Sequence, residues 1–200
     1  DRAGSGARRL GAKGRVTPGA EDDRIWNGAD DDGSGTVALM ALMKAFAEGP
    51  HPKRSLLFVW HAGEERGLLG SRYYADYPTV PIDQIVANIN IDMIGRNLDD
   101  KPENIDHFHL IGAAKTSTEL NDLVHKVCSN RMRIDETDRA NYFMRSDHFN
   151  YARNKIPVAF FFTGEHKDYH KPSDEVQSIL FDKMKRILDI IFECGLELSN

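Results

Sequence analysis

The 200-residue chain has little cysteine, no excess of positive charge and no long apolar run. Its two cysteines, Cys128 and Cys194, are too few for a disulfide framework, and neither lies at metal-site spacing from a second ligand. No stretch approaches the roughly 20 apolar residues of a membrane span. The formal net charge of −5 disfavours nucleic acid or an anionic membrane as the main partner, because phosphate neutralisation needs a basic surface.

The rest of the composition is that of a folded domain. With 40% apolar and 28% charged residues, the chain is long enough to bury the core of one domain. Residues 1–20 differ, because they are rich in glycine, alanine and arginine and have almost nothing to bury. We predict a poorly ordered or altered arm over residues 1–20 and a single domain over residues 21–200. Because the chain lacks an initiator methionine and a signal-like segment, its N-terminus is expected to be cut or processed.

Alternating apolar patterns predict the fold class. Continuous apolar runs indicate buried strands, and apolar residues at helical spacing indicate helices. Ser34 is a plausible cap of the first helix, and Ser173 and Asp174 lie near the cap of the last. The predicted strands are residues 54–62, 84–95, 107–112 and 156–164, and the predicted helices are residues 34–50, 68–78, 116–130 and 173–198. This order predicts an α/β protein, a three-layer sandwich with a mostly parallel mixed β-sheet flanked by helices.

Four acidic or histidine features fall at the ends of predicted strands or at the start of the first helix. They are GADDDGSG at residues 28–35, GEE at residues 63–65, Asp92, and HKDYH at residues 166–170. In open α/β sheets, ligands bind beyond the carboxyl ends of the strands, so these side chains are expected to converge. Carboxylate oxygens together with imidazole suit Zn²⁺ or a similar divalent ion.

Each feature alone has a simpler explanation. An acidic run before a helix usually caps it, paired glutamates usually lie in a solvated loop, and Asp92 is equally well explained as a structural hydrogen-bonding group. His166 and His170 have the spacing of the helical zinc motif H-E-x-x-H, but no glutamate lies between them and Pro172 follows. We therefore predict a loop there, with His170 as the ligand and His166 as a candidate pocket residue.

The ordered segments NGADDDGSGT, LLFVWHAGEERGLLGS, NIDMIG, SDHFNYARNKIPVAFFFTG and DYHKPSDE resemble the M28 family of zinc peptidases, which are mainly aminopeptidases. The resemblance covers about residues 27–175. It implies a zinc-aminopeptidase-like fold and a metal-dependent exopeptidase with peptide substrates. It also implies that Asp31 bridges two zinc ions, that Glu65 and His170 complete the first zinc, and that Asp92 binds the second.

The same resemblance assigns different roles to the two adjacent glutamates. Glu64 matches the general base, which takes a proton from the attacking water and relays it to the leaving amine. Because neighbouring residues on an extended strand point to opposite sides, Glu64 can act as the base while Glu65 binds the metal. Gly63 and Gly67 would let the backbone turn sharply around the site. Asp32 matches a supporting aspartate. The segment 146–148, SDH, matches part of the pocket lining without a fixed role.

The chain departs from the family upstream of GADDDGSG. The family has an H-x-D there, whose histidine binds the second zinc, but this chain has no histidine before His51 and carries GARRLGAKGRV in that place. The earlier strands of the family's sheet are missing too. We therefore predict one well-occupied zinc site and a second site that is weak or empty. Two alternatives are a glutaminyl-cyclase-like mononuclear zinc enzyme and a catalytically disabled fragment that binds peptide or metal.

Substrate preference and cellular location follow less directly from the residues. The aromatic residues Tyr142, Phe143, Phe149 and Tyr169 fit an apolar first substrate residue and fit core packing equally well. Since family members are often exported, a periplasmic or secreted location is the expectation from the resemblance. The sequence does not predict an oligomeric state.

Overall fold

The computed structural model of the chain describes residues 27–200. The arm predicted for residues 1–20, its boundary with the domain, and the segment GARRLGAKGRV lie outside the described residues, so the expectations placed on them stay predictions. Within residues 27–200, no helix has the length and apolar character needed to cross a bilayer.

In the described residues, four strands form one mixed sheet in the order β1–β4–β2–β3. They are β1 (Asn88–Ile91), β2 (His107–Ile111), β3 (Arg133–Asp135) and β4 (Val158–Phe162). The pairs β1–β4 and β2–β3 are parallel, whereas β2 and β4 are antiparallel. The helices are α1 (Gly35–Glu48), α2 (Leu69–Asp76), α3 (Ala113–Thr116), α4 (Thr118–Cys128), α5 (His148–Arg153) and α6 (Phe181–Ser199). The predicted α/β class, with a mixed sheet between helices, is confirmed.

Strand β4 is buried on both faces, which is why its sequence VAFFF does not alternate with polar residues. On one face, Ala159 and Phe161 pack into the main core with helices α1, α4 and α6. On the other, Val158 packs with Tyr74 of α2 and Tyr151 of α5. Burying each large apolar side chain contributes about 1.5–3 kcal/mol, so this central strand anchors both helical layers.

The strand predicted for residues 54–62 is wrong. These residues form no strand in the described structure, and Leu57 is 52% exposed rather than covered on both faces. Residues 54–61 and 84–92 instead line a common cavity of about 630 Å³. Within residues 27–200, β1 has a strand partner on one side only. The run 54–62 is apolar, but it does not pair with β1 in a ladder of backbone hydrogen bonds, and a strand needs such a ladder.

The last helix begins later than predicted. Helix α6 starts at Phe181, and the preceding Val176–Ser178 forms a separate short turn. The backbone N–H of Leu180 donates to the carbonyl of Gly95 at 2.8 Å, which ties this connection to the end of β1. The carboxylate of Asp174 accepts hydrogen bonds from a distant loop and does not cap the helix. A tertiary partner therefore overrides the local capping pattern.

Candidate active site

The aspartate loop at residues 29–34 is irregular and is held from behind by Asp174. The fully buried Asp174 carboxylate accepts hydrogen bonds from the backbone N–H of Asp30 and of Asp31, at 3.0–3.1 Å. Burial raises the pKa of Asp174, against the effect of those backbone hydrogen bonds. The peptide bond between Asp31 and Asp32 is cis, and both residues depart from helical geometry. The Asp31 side chain lies at a cavity wall.

The two aspartates beside Asp31 join this loop to the end of β1. Asp32 Oδ1 accepts hydrogen bonds from the backbone N–H of Gly35 and of Met93, both at 3.1 Å. Asp30 Oδ1 accepts one from the N–H of Gly95 at 2.6 Å. The structure thus gives Asp32 a supporting position, which agrees with its predicted role.

Ser34, the predicted cap of the first helix, occupies the N-cap position of α1 but makes no side-chain cap bond. Its hydroxyl donates to the Asp30 carbonyl at 2.8 Å and accepts from the backbone N–H of Ile94 at 3.0 Å. Ser34 therefore joins the loop to the β1 end rather than satisfying the first turn of α1.

The adjacent glutamates lie in a turn, not on an extended strand as predicted. Glu64–Arg66 form a single 3₁₀ turn between Gly63 and Gly67, whose φ angles are +71° and +91°. The glycines permit these left-handed conformations, so the sharp turn expected from them is confirmed. Glu64 is buried and Glu65 is half-buried, and both line the same cavity. The turn separates the two carboxylates without the strand alternation that the sequence suggested.

His170 completes a compact group with Asp31 and Glu65, which we call the outer cluster. Its Nε2 lies 3.0 Å from Asp31 Oδ2 and 3.2 Å from Glu65 Oε1. Hydrogen bonds to Asp31 and then to Glu65 raise the pKa of His170 to about 10. The Tyr169 ring stacks on the imidazole with a centroid separation of 3.8 Å. Three of the four predicted metal ligands therefore converge at one point.

Asp92 faces the same cavity but is not a member of that compact group. Its Oδ2 accepts a 2.8 Å hydrogen bond from Ser146 Oγ, which itself accepts one from Asn90 Nδ2. Asp92 follows β1 directly, so its predicted place at a strand end is observed. Ser146, from the segment SDH, orients this carboxylate and also lines the cavity.

The cavity has a volume of about 310 Å³ and combines acidic and aromatic walls. Tyr142 and Tyr169 are among the lining residues, together with Phe160 and Phe162 from β4. The other two aromatic candidates, Phe143 and Phe149, pack against each other and are not part of this lining. Sequence reasoning missed the β4 side chains because a buried strand does not reveal which face reaches a cavity.

His166 is not a pocket residue. Its Nε2 lies 3.3 Å from Asp30 Oδ2, and both side chains are fully buried behind the aspartate loop. The segment 166–170 is a turn, as predicted. A second charged pair missed by the sequence reasoning, Arg145 and Glu165 at 2.8 Å, lines the cavity.

The donor set of the outer cluster fits a tetrahedral zinc ion. Zinc bound to nitrogen or oxygen at about 2.0–2.2 Å places neighbouring donor atoms about 3.3 Å apart. The observed separations of 3.0 and 3.2 Å from His170 Nε2 are close to that value. The ligand atoms of Asp31, Glu65 and His170 all lie within 4.8 Å of one another. The cluster thus offers three protein ligands beside a cavity that leaves room for a fourth.

Comparison with known proteins places this chain in a family. The model of peptidase family M28 matches residues 13–194. A probable leucine aminopeptidase of Arthroderma otae is 29% identical over 196 residues, covering 86% of this chain and 50% of that protein.

Two solved structures share the fold. A zinc aminopeptidase from Bacillus subtilis superposes with a TM-score of 0.72 at 21% identity, covering 86% of this chain and 42% of that one. A Bacteroides thetaiotaomicron glutaminyl cyclase superposes with a TM-score of 0.60 at 20% identity, covering 87% and 66%. The chain spans about half the length of the curated relatives it matches.

Proposed function

Because this chain belongs to peptidase family M28, we propose that it is a metal-dependent exopeptidase, and specifically an aminopeptidase that removes N-terminal residues from peptides. The observation that carries the proposal is the convergence of Asp31, Glu65 and His170 beside Glu64 at one cavity. Leucine aminopeptidases among the relatives support the same reaction class.

Asp31, Glu65 and His170 are the residues that would hold Zn²⁺ in this chain. A bound zinc ion supplies polarisation of the scissile carbonyl and lowers the pKa of the attacking water. Among residues 27–200, the resemblance leaves the second ion only Asp31 and Asp92, so we propose one well-occupied site and a second that is weak or empty. The hydrogen bond from Ser146 to Asp92 supports a fixed carboxylate there even without an ion.

Glu64 is the general base in this proposal. Its buried carboxylate lines the cavity, where it accepts a proton from the attacking water and delivers it to the leaving amine. Tyr142, Phe160 and Phe162 provide an apolar wall that excludes water and accommodates an uncharged side chain such as leucine.

The proposal is tested with the full chain, stripped of metal and reconstituted with zinc. We expect hydrolysis of a leucine arylamide with a free amino group and none of its N-acetylated form. Replacing Glu64 by glutamine (Glu64→Gln) should lower kcat/KM by about 10²–10⁴-fold while zinc stoichiometry stays constant, since the base does not hold the metal. The exposed Glu48→Gln is the matched control and should change neither quantity.

Other outcomes contradict the proposal in distinguishable ways. Zinc binding without turnover would identify a disabled peptide- or metal-binding fragment. Cyclisation of an N-terminal glutamine without hydrolysis would favour the glutaminyl-cyclase alternative, which is supported by the fold likeness and by the three-ligand cluster at the cavity. The periplasmic or secreted location stays a prediction, and fractionation of the source cells would test it.

A further inference from the structure

A second group of metal-type side chains lies across β2 and β3, and we call it the inner cluster. His107 and His109 are two residues apart on β2 and therefore project from the same face of the sheet. Asp135 lies opposite His109 in the parallel register with β3. The two imidazole rings are perpendicular, with centroids 4.8 Å apart. The sheet register alone thus brings two imidazoles and one carboxylate together.

The distances within the inner cluster are close to those of a tetrahedral site. Asp135 Oδ2 lies 3.5 Å from His107 Nε2 and 3.7 Å from His109 Nδ1. Ligand atoms of all three residues lie within 4.8 Å of one another. A zinc ion would hold neighbouring ligand atoms about 3.3 Å apart, so the two separations between carboxylate and imidazole need to shorten by only a few tenths of an ångström.

Burial leaves the imidazoles without other partners. The side chains of His107 and His109 are 9% and 6% exposed. Among residues 27–200, both nitrogens of His109 and the Nδ1 of His107 are buried and have no hydrogen-bond partner. Buried polar atoms are normally satisfied, because an unmade hydrogen bond costs about 1–3 kcal/mol. An ion held at the nitrogens that face Asp135, which are His109 Nδ1 and His107 Nε2, would satisfy the otherwise unpartnered His109 Nδ1.

The carboxylate of the inner cluster is held in one orientation. Asp135 Oδ1 accepts hydrogen bonds from both the backbone N–H and the hydroxyl of Thr137. This leaves Oδ2 directed at the two histidines, as in metal sites whose ligating carboxylates are fixed by hydrogen bonds from outside the ligand set. The half-buried position of Asp135 gives a route to solvent for a water as fourth ligand.

We propose that His107, His109 and Asp135 form a binding site for a divalent transition-metal ion of the zinc type, which ties edge strand β3 to β2. Two imidazoles and a carboxylate are ligands that such ions favour. The positive charges of Lys183 and Arg133 act on His107 and oppose cation binding, so the single carboxylate and the anchoring by Thr137 must outweigh them. The site is separate from the outer cluster and does not depend on the proposed peptidase activity.

The test uses Co²⁺ as a spectroscopic probe on the full chain. The outer cluster is disabled by Glu65→Gln with His170→Gln, and one Co²⁺ per chain with tetrahedral d–d absorption is expected to remain. Adding His109→Gln should weaken that binding by about tenfold or more. Asp135→Asn, whose side chain keeps the oxygen facing Thr137, serves as a second variant if His109→Gln folds poorly.

His125→Gln is the matched control. His125 Nε2 lies 2.9 Å from Glu136 Oε1, but this exposed pair has no third ligand group beside it among the described residues. It should leave the absorption unchanged. Zn²⁺ should also raise the Tm of the disabled chain, and less so after Asp135→Asn. Absence of bound Co²⁺ in the disabled chain, or binding unaffected by both inner-cluster variants, would overturn the proposal.

Discussion

The outer and inner clusters both combine carboxylates with imidazoles, but the pKa of histidine is raised in the first and lowered in the second. In the outer cluster one imidazole lies between two carboxylates, which raise the pKa of His170 to about 10. In the inner cluster two imidazoles share one carboxylate, and burial followed by the charge of His107 lowers the pKa of His109 to about 4. Without an ion, His170 is therefore a cation near neutral pH, whereas His109 is neutral.

This difference predicts different metal chemistry. Metal binding at the outer cluster would require His170 to lose its proton, and the cluster would offer two carboxylates beside an open cavity. An ion entering the inner cluster meets imidazoles that are already neutral, with one anionic ligand and little space. The first arrangement suits a centre that exchanges substrate and water, and the second suits a structural ion.

The largest expected effect separates the clusters by turnover. Glu65→Gln removes a ligand of the outer cluster and should lower kcat/KM by about 10³-fold, since charge stabilisation by a metal contributes several kcal/mol. His109→Gln should lower kcat/KM far less, because His109 is outside the outer cluster and reaches the cavity only through its ring contacts with Tyr142 and Phe162. Steady-state hydrolysis of a leucine arylamide measures both. Equal losses would show that the two clusters act as one functional unit.

Much of the outer cluster can be predicted from the sequence. The pattern of predicted strand ends and the first helix start indicates that residues 28–35, 63–65 and 166–170 converge, although the strand predicted before residue 63 does not form. The resemblance to the M28 family then implies Asp31, Glu65 and His170, and in the fold these three residues lie together. The capping role predicted for Asp174 is wrong because its partners, the N–H groups of Asp30 and Asp31, lie more than 140 residues away in the chain. Capping chemistry is local, whereas this contact is made only by the folded loop.

The inner cluster and the run 54–62 show why the remainder cannot be predicted in this way. In the sequence, His107 and His109 are part of an apolar strand pattern, and their partner Asp135 becomes visible only from the register of β2 with β3. The apolar run 54–62 satisfies the composition of a strand but has no ladder partner among the described residues. Hydrogen-bond pairing is a property of two segments, so one segment's composition cannot establish it.

The second-largest expected effect is a pH dependence of stability, and it comes from Lys183, the buried lysine near the inner cluster. Its Nζ donates to Asn97 Oδ1 and to the Asn104 carbonyl, and burial lowers its pKa to about 8 from the ordinary 10.5. Between these values the unfolded chain binds more protons, so this group's contribution to the free energy of unfolding rises with pH. Below about pH 8, Lys183 is charged in the folded chain as well, so the full cost of burying that charge lowers the free energy of unfolding.

The wild-type chain should therefore gain about 1–3 kcal/mol relative to Lys183→Met as the pH rises across that window. Urea unfolding at several pH values measures the difference. Lys185→Met is the matched control, because Lys185 lies on the same helix but is exposed. A pH dependence that is the same in wild type and Lys183→Met would mean that Lys183 keeps its charge in the fold.

The smallest expected effect concerns a helix cap that belongs to neither cluster. Ser117 caps helix α4, with its hydroxyl accepting a 3.1 Å hydrogen bond from the backbone N–H of Leu120. Ser117→Ala should lower the free energy of unfolding by about 1 kcal/mol, as measured by urea denaturation. Turnover and Co²⁺ stoichiometry should both stay constant. If this variant also reduced Co²⁺ binding, loss of binding in His109→Gln would reflect general destabilisation rather than the loss of a ligand.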